Sequence, residues 1–369
     1  MLKTILTELL EPCDIQINGH RPHDPQVVDN RFYNEVLSKG SLGLGESYIQ
    51  GWWNAHDMEG LLYRLIQGDI ARKFKAKPVI LWHYIRSKVL NLQSKRRSID
   101  VALKHYNIGN ELYTRMLGPT MMYSCAYWKD ADTLDTAQEA KLALICKKLK
   151  LVPGQRILDI GCGWGGFARF AAINYGVSVV GVSISKEQVD FAREWCKELP
   201  VEIRLQDYRD LQEKFDRIVS IGMFEHVGYK NYHTYMHTVN QNLKDDGLFL
   251  LHSIGGNKTT TATDPWIHKY IFPNGLIPSP AQVTKAFEPY FMMEDWHNFG
   301  MDYERTLLAW QENFKENWGY IAASYDEYFY RMWLYYLNVS AASFKAKHNH
   351  VWQIVLSKKD NTNRYTSIR

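Results

Sequence analysis

The chain has 369 residues, of which 46% are hydrophobic and 23% charged, and this composition is typical of a globular protein with one large α/β domain and a smaller one. No uninterrupted apolar stretch approaches the roughly 18 residues needed to span a bilayer. Five cysteines without a C-x-x-C pair argue against a disulfide framework and a structural zinc site. The first eleven residues predict an amphipathic helix without the features of a secretion signal, so we expect a protein of the reducing cytoplasm.

Residues 1–85 predict a small helical N-terminal domain. Turn signals fall at Asn18-Gly19 and Asp24-Pro25, and a glycine-spaced stretch runs over 41–54. Trp52 and Trp53 are adjacent and cannot share one helix face fully, so we expect them to pack in the core of this domain.

The net charge of +4 conceals a strongly basic segment. Between residues 71 and 104, ten Lys or Arg stand against Asp100 alone, a local charge of +9. Apolar residues recur there at helical spacing, at Leu81, Ile85, Val89 and Leu92. This is the pattern of a basic amphipathic helix, which suits an anionic membrane surface. A solvated face of a helix packed on the protein, or a nucleic-acid-binding patch, would have the same composition.

A linker at 86–103 precedes a catalytic domain at 104–369, in which predicted helices and strands alternate. Strands are predicted over 156–160, 177–182, 201–205, 216–221 and 248–254, and helices over 137–150, 165–175, 185–197 and 231–243. Such alternation indicates a parallel sheet with helices on both faces. Two further strands, 291–296 and 351–357, flank a helical stretch rich in Tyr and Trp.

The most informative motif joins the strand 156–160 to the helix that follows it, and reads Asp159-Ile160-Gly161-Cys162-Gly163-Trp164-Gly165-Gly166. Glycines at such a turn let the backbone approach a ligand at the carboxyl edge of the sheet. The spacing fits G-x-G-x-x-G, but a dinucleotide site also needs an acidic residue about 20 residues on. The second strand instead ends in Ser183-Ile184-Ser185, without a carboxylate. An acid before a compact G-x-G favours S-adenosylmethionine (SAM); a glycine turn with no ligand is the remaining alternative.

Further polar residues follow the ends of the other strands, where they can converge on one crevice. Gln206 and Asp207 follow the third strand, and a carboxylate there can accept from an adenine amino group. Ser183 and Gln188 are the candidates for ribose or methionine-end contacts in place of the missing acid. Glu225 follows the fourth strand and His252 lies in the fifth.

Four local motifs together resemble the cyclopropane-fatty-acyl-phospholipid synthase family. They are the glycine loop, Tyr123-Ser124-Cys125-Ala126-Tyr127-Trp128, the segment from Gly222 to Gly228, and Asp295-Trp296-His297-Asn298-Phe299-Gly300. The resemblance runs in order from about Ser41 to about Val355. It implies an α/β fold with a seven-stranded, mostly parallel, Rossmann-like SAM-methyltransferase sheet, an antiparallel last strand, a small N-terminal helical domain and a homodimer.

The resemblance also implies roles for individual residues. SAM is expected to contact Tyr123, Ser124, Asp159, Gly161, Cys162, Gly163, Ser183, Gln188, Gln206 and Asp207. Glu225, Cys125, His252 and Tyr303, with the backbone of Ile254, are expected to hold a bicarbonate ion that takes a proton from the substrate. An anion beside a carboxylate is unfavourable, so one of the two is protonated or Glu225 acts through His252.

These expectations amount to an enzyme that is cytoplasmic and peripheral on the inner membrane face, acts on membrane phospholipids with unsaturated acyl chains, and binds no nucleic acid. It would add a methylene group from SAM to a cis double bond through a carbocation, which aromatic faces stabilise. The alternatives are a lipid C-methyltransferase that makes a methyl branch, a small-molecule N- or O-methyltransferase, an NAD-linked dehydrogenase and a non-catalytic membrane-binding module.

Overall fold

The computed structural model describes residues 1–70 and 109–369, which form two compact units. The first contains the described residues up to Ile70 together with Thr261–Pro273 and Tyr303–Asn349. The second contains the described residues from 109 to Thr260 together with Asn274–Asp302 and His350–Arg369. The predicted basic helix and the linker at 86–103 lie outside the described residues.

The first unit is mainly helical. Its helices are Leu2–Leu10, Arg31–Lys39, Ser41–Ile49, Met58–Gln67, Pro265–Tyr270, Glu327–Lys345 and all but the first two residues of Met301–Ile321. The unit also contains two short strands that pair antiparallel, β1 (Gln26–Val27) and β2 (Trp53–Asn54). The helix Leu2–Leu10 confirms the predicted N-terminal helix. Trp53 is fully buried, as expected, whereas Trp52 is only half-buried, with Arg31 over its ring at 4.5 Å.

The helix Glu327–Lys345 packs on the two helices Ser41–Ile49 and Met58–Gln67. Its Arg331 donates from Nε to the Tyr48 carbonyl oxygen at 2.6 Å and covers the Tyr48 ring at 4.0 Å. The ring of Tyr335 lies 4.6 Å from that of Trp266. The structure therefore differs from the predicted continuous division of the chain, because these late helices supply the apolar faces on which the N-terminal helices pack.

The second unit contains a seven-stranded sheet in the order β5-β4-β3-β6-β7-β9-β8. The strands are β3 (Arg156–Ile160), β4 (Ser178–Ser183), β5 (Val201–Leu205), β6 (Phe215–Ile221), β7 (Leu243–Gly256), β8 (Phe291–Asn298) and β9 (Asn349–Lys358). The pairs from β5 through β7 are parallel, and β9 runs antiparallel to β8. The predicted fold class is confirmed. The helices of this unit are Asn110–Leu117, Leu134–Lys148, Gly166–Tyr175, Lys186–Trp195, Tyr232–Asn242 and Pro280–Phe287.

Each face of the sheet carries its own apolar core, because side chains alternate along a strand. Leu158, Phe249 and Ile354 belong to a cluster with the helix Tyr232–Asn242. Ile157, Leu250 and Val355 belong to a cluster with the helices Leu134–Lys148 and Gly166–Tyr175. By the same alternation, Asp159, His252 and Gln353 lie on the face covered by Leu134–Lys148.

A buried ion pair on this face secures the C-terminal residues. Lys148 has no exposed side-chain surface, and its Nζ lies 3.4 Å from Asp295 Oδ2. Asp295 also accepts from Arg369 Nη2 at 2.6 Å and from Ser367 Oγ at 3.0 Å. Tyr365 donates to the Lys148 carbonyl oxygen at 3.1 Å. Asp295 therefore compensates two cations, one of which has no access to water.

Within the described ranges, no helix combines the length and the apolar character that crossing a membrane requires.

We expect Asp295→Asn to lower the free energy of unfolding by about 3 kcal/mol, because the buried Lys148 would lose its carboxylate partner. Denaturant unfolding followed by circular dichroism measures this loss. Asp245→Asn is the matched control, since its carboxylate pairs with Lys358 at 2.9 Å while 97% exposed and should change stability little. Equal losses in the two variants would contradict the role assigned to the buried pair.

Candidate active site

The glycine loop after β3 has the backbone that its sequence predicts. Gly161, Gly163 and Gly165 all have positive φ, at 82°, 54° and 86°. The amides of Gly161 and Cys162 both donate to the Val182 carbonyl oxygen, which fixes the loop against β4. A Cβ added at Gly163 would find its nearest neighbour, Gln188 Nε2, only at 4.0 Å. The loop thus presents an open backbone surface of the kind that a nucleoside-type cofactor needs.

The residues predicted after β4 lie together beside this loop. Ser183 Oγ donates to Gln188 Oε1 at 3.2 Å, and both side chains are buried. Ser185 caps the helix Lys186–Trp195, so Gln188 is held at the first turn of a helix that begins at the sheet edge. Gln206 lies at the same edge of the sheet, since its backbone N–H donates to the Ser183 carbonyl oxygen at 3.0 Å.

Asp207 is held by a neighbouring cation. Its Oδ1 accepts from Arg209 Nε at 2.8 Å and its Oδ2 from Arg209 Nη2 at 2.6 Å. Asp207 is mostly buried. Its Oδ1 also accepts from the Arg209 backbone amide at 3.0 Å. The expectation that Asp207 accepts from an adenine amino group stays a prediction.

The segment Tyr123-Ser124-Cys125 lies against the ends of two strands. A Cβ added at Gly222, the residue after β6, would stand 3.7 Å from Ser124 Cβ and 4.0 Å from the Tyr123 carbonyl oxygen. Just upstream, the Thr120 carbonyl oxygen would lie 2.2 Å from a Cβ at Gly166. The structure therefore brings this segment to both the glycine loop and the turn that leads to Glu225.

Glu225 follows β6 in a short 3₁₀ turn and is held by one oxygen. Its Oε1 accepts a hydrogen bond from the Ile254 amide at 2.6 Å. Its Oε2 is buried and has no hydrogen-bond partner among the described residues. Burial raises the pKa of Glu225 to about 7, although the Ile254 hydrogen bond acts in the opposite direction. The Ile254 amide, expected to contact an anion directly, is thus engaged with the carboxyl group.

His252 lies on β7, opposite Ile221 of β6 in the parallel register. Its ring is 2% exposed, and burial keeps the pKa of His252 well below 6.5, with the charges of Lys141 and Lys148 adding to the effect. Gln353 Nε2 lies 3.4 Å from His252 Nδ1. When this amide donates, Nδ1 accepts and the ring proton is on Nε2. His252 is therefore a neutral donor.

Cys125 and Tyr303 are both buried. The Cys125 Sγ lies 3.1 Å from the Ala126 carbonyl oxygen. Tyr303 belongs to the first unit, where its ring packs on those of Phe344 and Trp310 at 4.6 and 5.9 Å.

Three buried polar residues on this face were not singled out from the sequence. Gln353 is fully buried beside His252, and Gln138 and Lys141 are fully buried on the helix Leu134–Lys148. Gln138 donates to the Ser124 carbonyl oxygen at 3.0 Å, and Lys141 donates to Ser124 Oγ at 2.9 Å. Their spacing of three residues was the available signal, because it places both on one face of the helix.

The seven-stranded sheet carries an open glycine loop at the carboxyl end of β3. This combination is typical of one class of protein, the SAM-dependent methyltransferases. The chain belongs, within this class, to the mycolic acid cyclopropane synthetase family, whose model matches residues 93–354.

Individual relatives agree with this assignment. The cyclopropane-fatty-acyl-phospholipid synthase of Escherichia coli (strain K12) is 52% identical over 354 residues, which are 96% of this chain and 93% of the relative. Among solved structures, the cyclopropane synthase MmaA2 from Mycobacterium tuberculosis superposes with a TM-score of 0.67 at 31% identity, over 73% of this chain and all of that one. The mycolic acid cyclopropane synthase CmaA1, complexed with SAH and CTAB, gives 0.66 at 31% identity, over 71% and 98%.

We expect Gly163→Ala to weaken SAM binding by about 1.4 kcal/mol or more, a factor of ten in Kd, because a Cβ would enter the open face of the loop and disfavour its positive φ. Titration calorimetry measures the affinity. Gly154→Ala is the matched control, since Gly154 has φ of 84° and open space around it in the turn before β3. An unchanged Kd in Gly163→Ala would contradict the assignment of the loop.

Proposed function

We propose that the protein transfers a methylene group from SAM to the cis double bond of an unsaturated phospholipid acyl chain and so forms a cyclopropane ring. The observation that carries this proposal is the buried Glu225 carboxyl group, anchored through Oε1 and open at Oε2. Methyl transfer alone needs positioning and no base. Ring closure needs a group that takes a proton from the new methyl carbon, and Glu225 is our candidate for holding that group.

The residues around the glycine loop would hold the cofactor, with Ser124 and the Ser183–Gln188 pair as its polar contacts. SAM supplies an electrophilic methyl group when bound. The π electrons of the alkene would bond one of its carbons to this methyl group as the S–CH3 bond breaks and S-adenosylhomocysteine leaves, and the other alkene carbon would become cationic. A proton then leaves the methyl group, and its C–H electrons form the second bond of the ring.

The residues present fit a small oxyanion that mediates this proton removal. Glu225 Oε2, when ionised, can accept from the O–H of a bicarbonate ion and thereby orient it. His252, as a neutral imidazole with its proton on Nε2, can donate to the anion. The Ile254 amide acts through Glu225, since it donates to Oε1. Bicarbonate supplies an oxygen base, and the contributions of Cys125 and Tyr303 remain as the resemblance predicts them.

The proposal is tested by mass spectrometry of lipids from a host that lacks cyclopropane lipids and expresses the chain. A gain of 14 Da in unsaturated acyl chains, with loss of the double bond, is the expected result. The same gain with the double bond retained would instead show a methyl-transferring enzyme without ring closure. Unmodified lipids in the presence of folded protein would overturn the proposal.

We expect activity to rise with pH through about 7, because burial raises the pKa of Glu225 to about 7 and only the ionised carboxyl group accepts from bicarbonate. Glu225→Gln should abolish this rise of activity with pH and lower kcat about 100-fold. Calorimetry should show an unchanged Kd for SAM. The profile is recorded at constant bicarbonate concentration, since acid converts bicarbonate to carbon dioxide. Glu59→Gln is the control, because its carboxylate is likewise buried but pairs with Lys345 at 2.9 Å. A wild-type pH–activity profile that does not rise through about pH 7 would contradict the role of Glu225.

We propose further that the protein is cytoplasmic, docks on the anionic inner face of a membrane and forms a homodimer. The docking proposal rests on the +9 charge between residues 71 and 104, since basic residues are attracted to anionic lipids. Sedimentation equilibrium determines the number of chains in the assembly.

Replacing Arg86, Lys88, Arg96 and Arg97 by Gln should weaken sedimentation with anionic vesicles, each basic residue near the surface contributing about 1 kcal/mol. High salt should weaken wild-type binding in the same direction, because it screens the attraction. Turnover on detergent-dispersed lipid should change much less than turnover on vesicles. Wild-type vesicle binding by the quadruple variant would place docking on another surface.

A further inference from the structure

Lys141 is one of two fully buried lysines on the helix that covers the site face of the sheet, and the proposed reaction does not yet use it. Its side chain is fully buried on the helix Leu134–Lys148. An isolated ammonium group is costly to bury unless an opposite charge or several hydrogen bonds compensate it. Such a residue at the centre of a helix points to a charge that the site requires.

Lys141 and Gln138 together hold the segment that precedes Cys125. Lys141 Nζ donates to Ser124 Oγ at 2.9 Å, and Gln138 Nε2 donates to the carbonyl oxygens of Ser124 and Met122 at 3.0 and 3.4 Å. The position of Ser124 is thus determined from beneath by one helix face. The hydrogen bond from Lys141 also occupies a lone pair of the Ser124 hydroxyl and leaves its proton available to a ligand.

The ammonium group of Lys141 is only partly compensated. An ammonium group has three donor protons, and among the described residues Ser124 Oγ is its one hydrogen-bond acceptor. Lys148, seven residues further along the same helix and equally buried, has the Asp295 carboxylate at 3.4 Å. Within the part of the chain that the structure describes, no carboxylate lies at ion-pair distance from Lys141, although the charge of Asp159 acts on it from further away.

The electrostatic effect of Lys141 reaches several groups of the site. Burial raises the pKa of Asp159 to about 7 and lowers the pKa of Lys141 to about 7, and the opposite charge of each acts against the shift of the other. The charge of Lys141 also adds to the lowering of the pKa of His252 by burial. Asp159 and His252 lie on the sheet face that the helix Leu134–Lys148 covers. An anion bound among these groups and beside Glu225 would meet two carboxyl groups, so a nearby positive charge is needed to make its binding favourable.

We propose that Lys141 is a positioning residue of the anion site, whose buried ammonium group holds Ser124 and supplies the positive charge that allows bicarbonate to bind beside Glu225. This inference rests on the proposed function and extends it to a residue outside the expected bicarbonate set. The charge acts through space on the anion, whereas the hydrogen bond acts through Ser124.

The test measures the binding of ¹³C-labelled bicarbonate to the lipid-free protein through the broadening of its NMR line. Lys141→Met should weaken binding at least about tenfold, the effect of losing one nearby opposite charge, and should raise the bicarbonate concentration for half-maximal turnover equally. Lys141→Gln keeps a donor for Ser124 without the charge and should show the same loss; it also serves if Lys141→Met does not fold. Lys141→Arg should recover much of the affinity.

Lys148→Met is the matched control, because it removes an equally buried cation from the same helix. It should lower stability yet leave bicarbonate binding within about twofold, since the charge it removes is matched by Asp295. Unchanged binding in Lys141→Gln, or an equal loss in Lys148→Met, would overturn the role of Lys141 alone. If the wild-type protein forms the cyclopropane ring without binding bicarbonate, this inference is overturned and the proposed reaction stands. If it binds bicarbonate but gives no lipid product, the proposed reaction is overturned.

Discussion

The parallel pairing of β6 with β7 is the constraint on which the site depends. It sets Ile221 opposite His252, and the Gly222 amide donates to the His252 carbonyl oxygen at 2.9 Å. Gly222 has φ of 67°, which turns the chain away from the strand. The 3₁₀ turn that follows returns Glu225 to the Ile254 amide two residues further along β7. One strand register therefore fixes the carboxyl group and the imidazole relative to each other.

This arrangement requires that several polar groups be buried in and around the sheet, which is unfavourable for charged groups. Buried carboxyl groups are kept from ionising easily, and buried imidazole and ammonium groups from charging. The structure distributes these groups in two ways. Lys148 and Asp295 neutralise each other directly, which serves stability, whereas Lys141 and Asp159 act on each other at longer range.

Much of the fold follows from the sequence, because strand ends and glycine turns have local causes. The predicted strands 156–160 and 201–205 coincide with β3 and β5, and β4 and β6 begin or end within one residue of prediction. β7 is longer than predicted, since its pairing with β6 already begins at Leu243, before the apolar run at 248–254. The segments 261–273 and 303–349 could not be assigned to the N-terminal unit, because only tertiary packing joins them to it.

The site divides in the same way. Gly161, Ser183 and Glu225 are recognisable because each follows or ends a strand, and His252 because it is a polar residue within a predicted strand. Lys141 is harder to recognise: its three-residue spacing from Gln138 is the only local signal, and a lysine among helical residues is normally assigned to solvent. Gln353 is missed for a related reason: its neighbours in β9 are apolar, and its contact with His252 crosses 101 residues of sequence. Long-range polar contacts inside a core leave no local pattern.

The interleaving of the two units governs the order in which the chain can fold during synthesis. The helices Ser41–Ile49 and Met58–Gln67 emerge from the ribosome early, but their partner Glu327–Lys345 is made more than 250 residues later. The sheet waits as well, since β9 is inserted between β7 and β8. Contacts of such sequence separation slow folding. Both units reach their final packing only when the ribosome has passed residue 358, so nascent chains released before that point expose apolar helix faces and an open sheet edge.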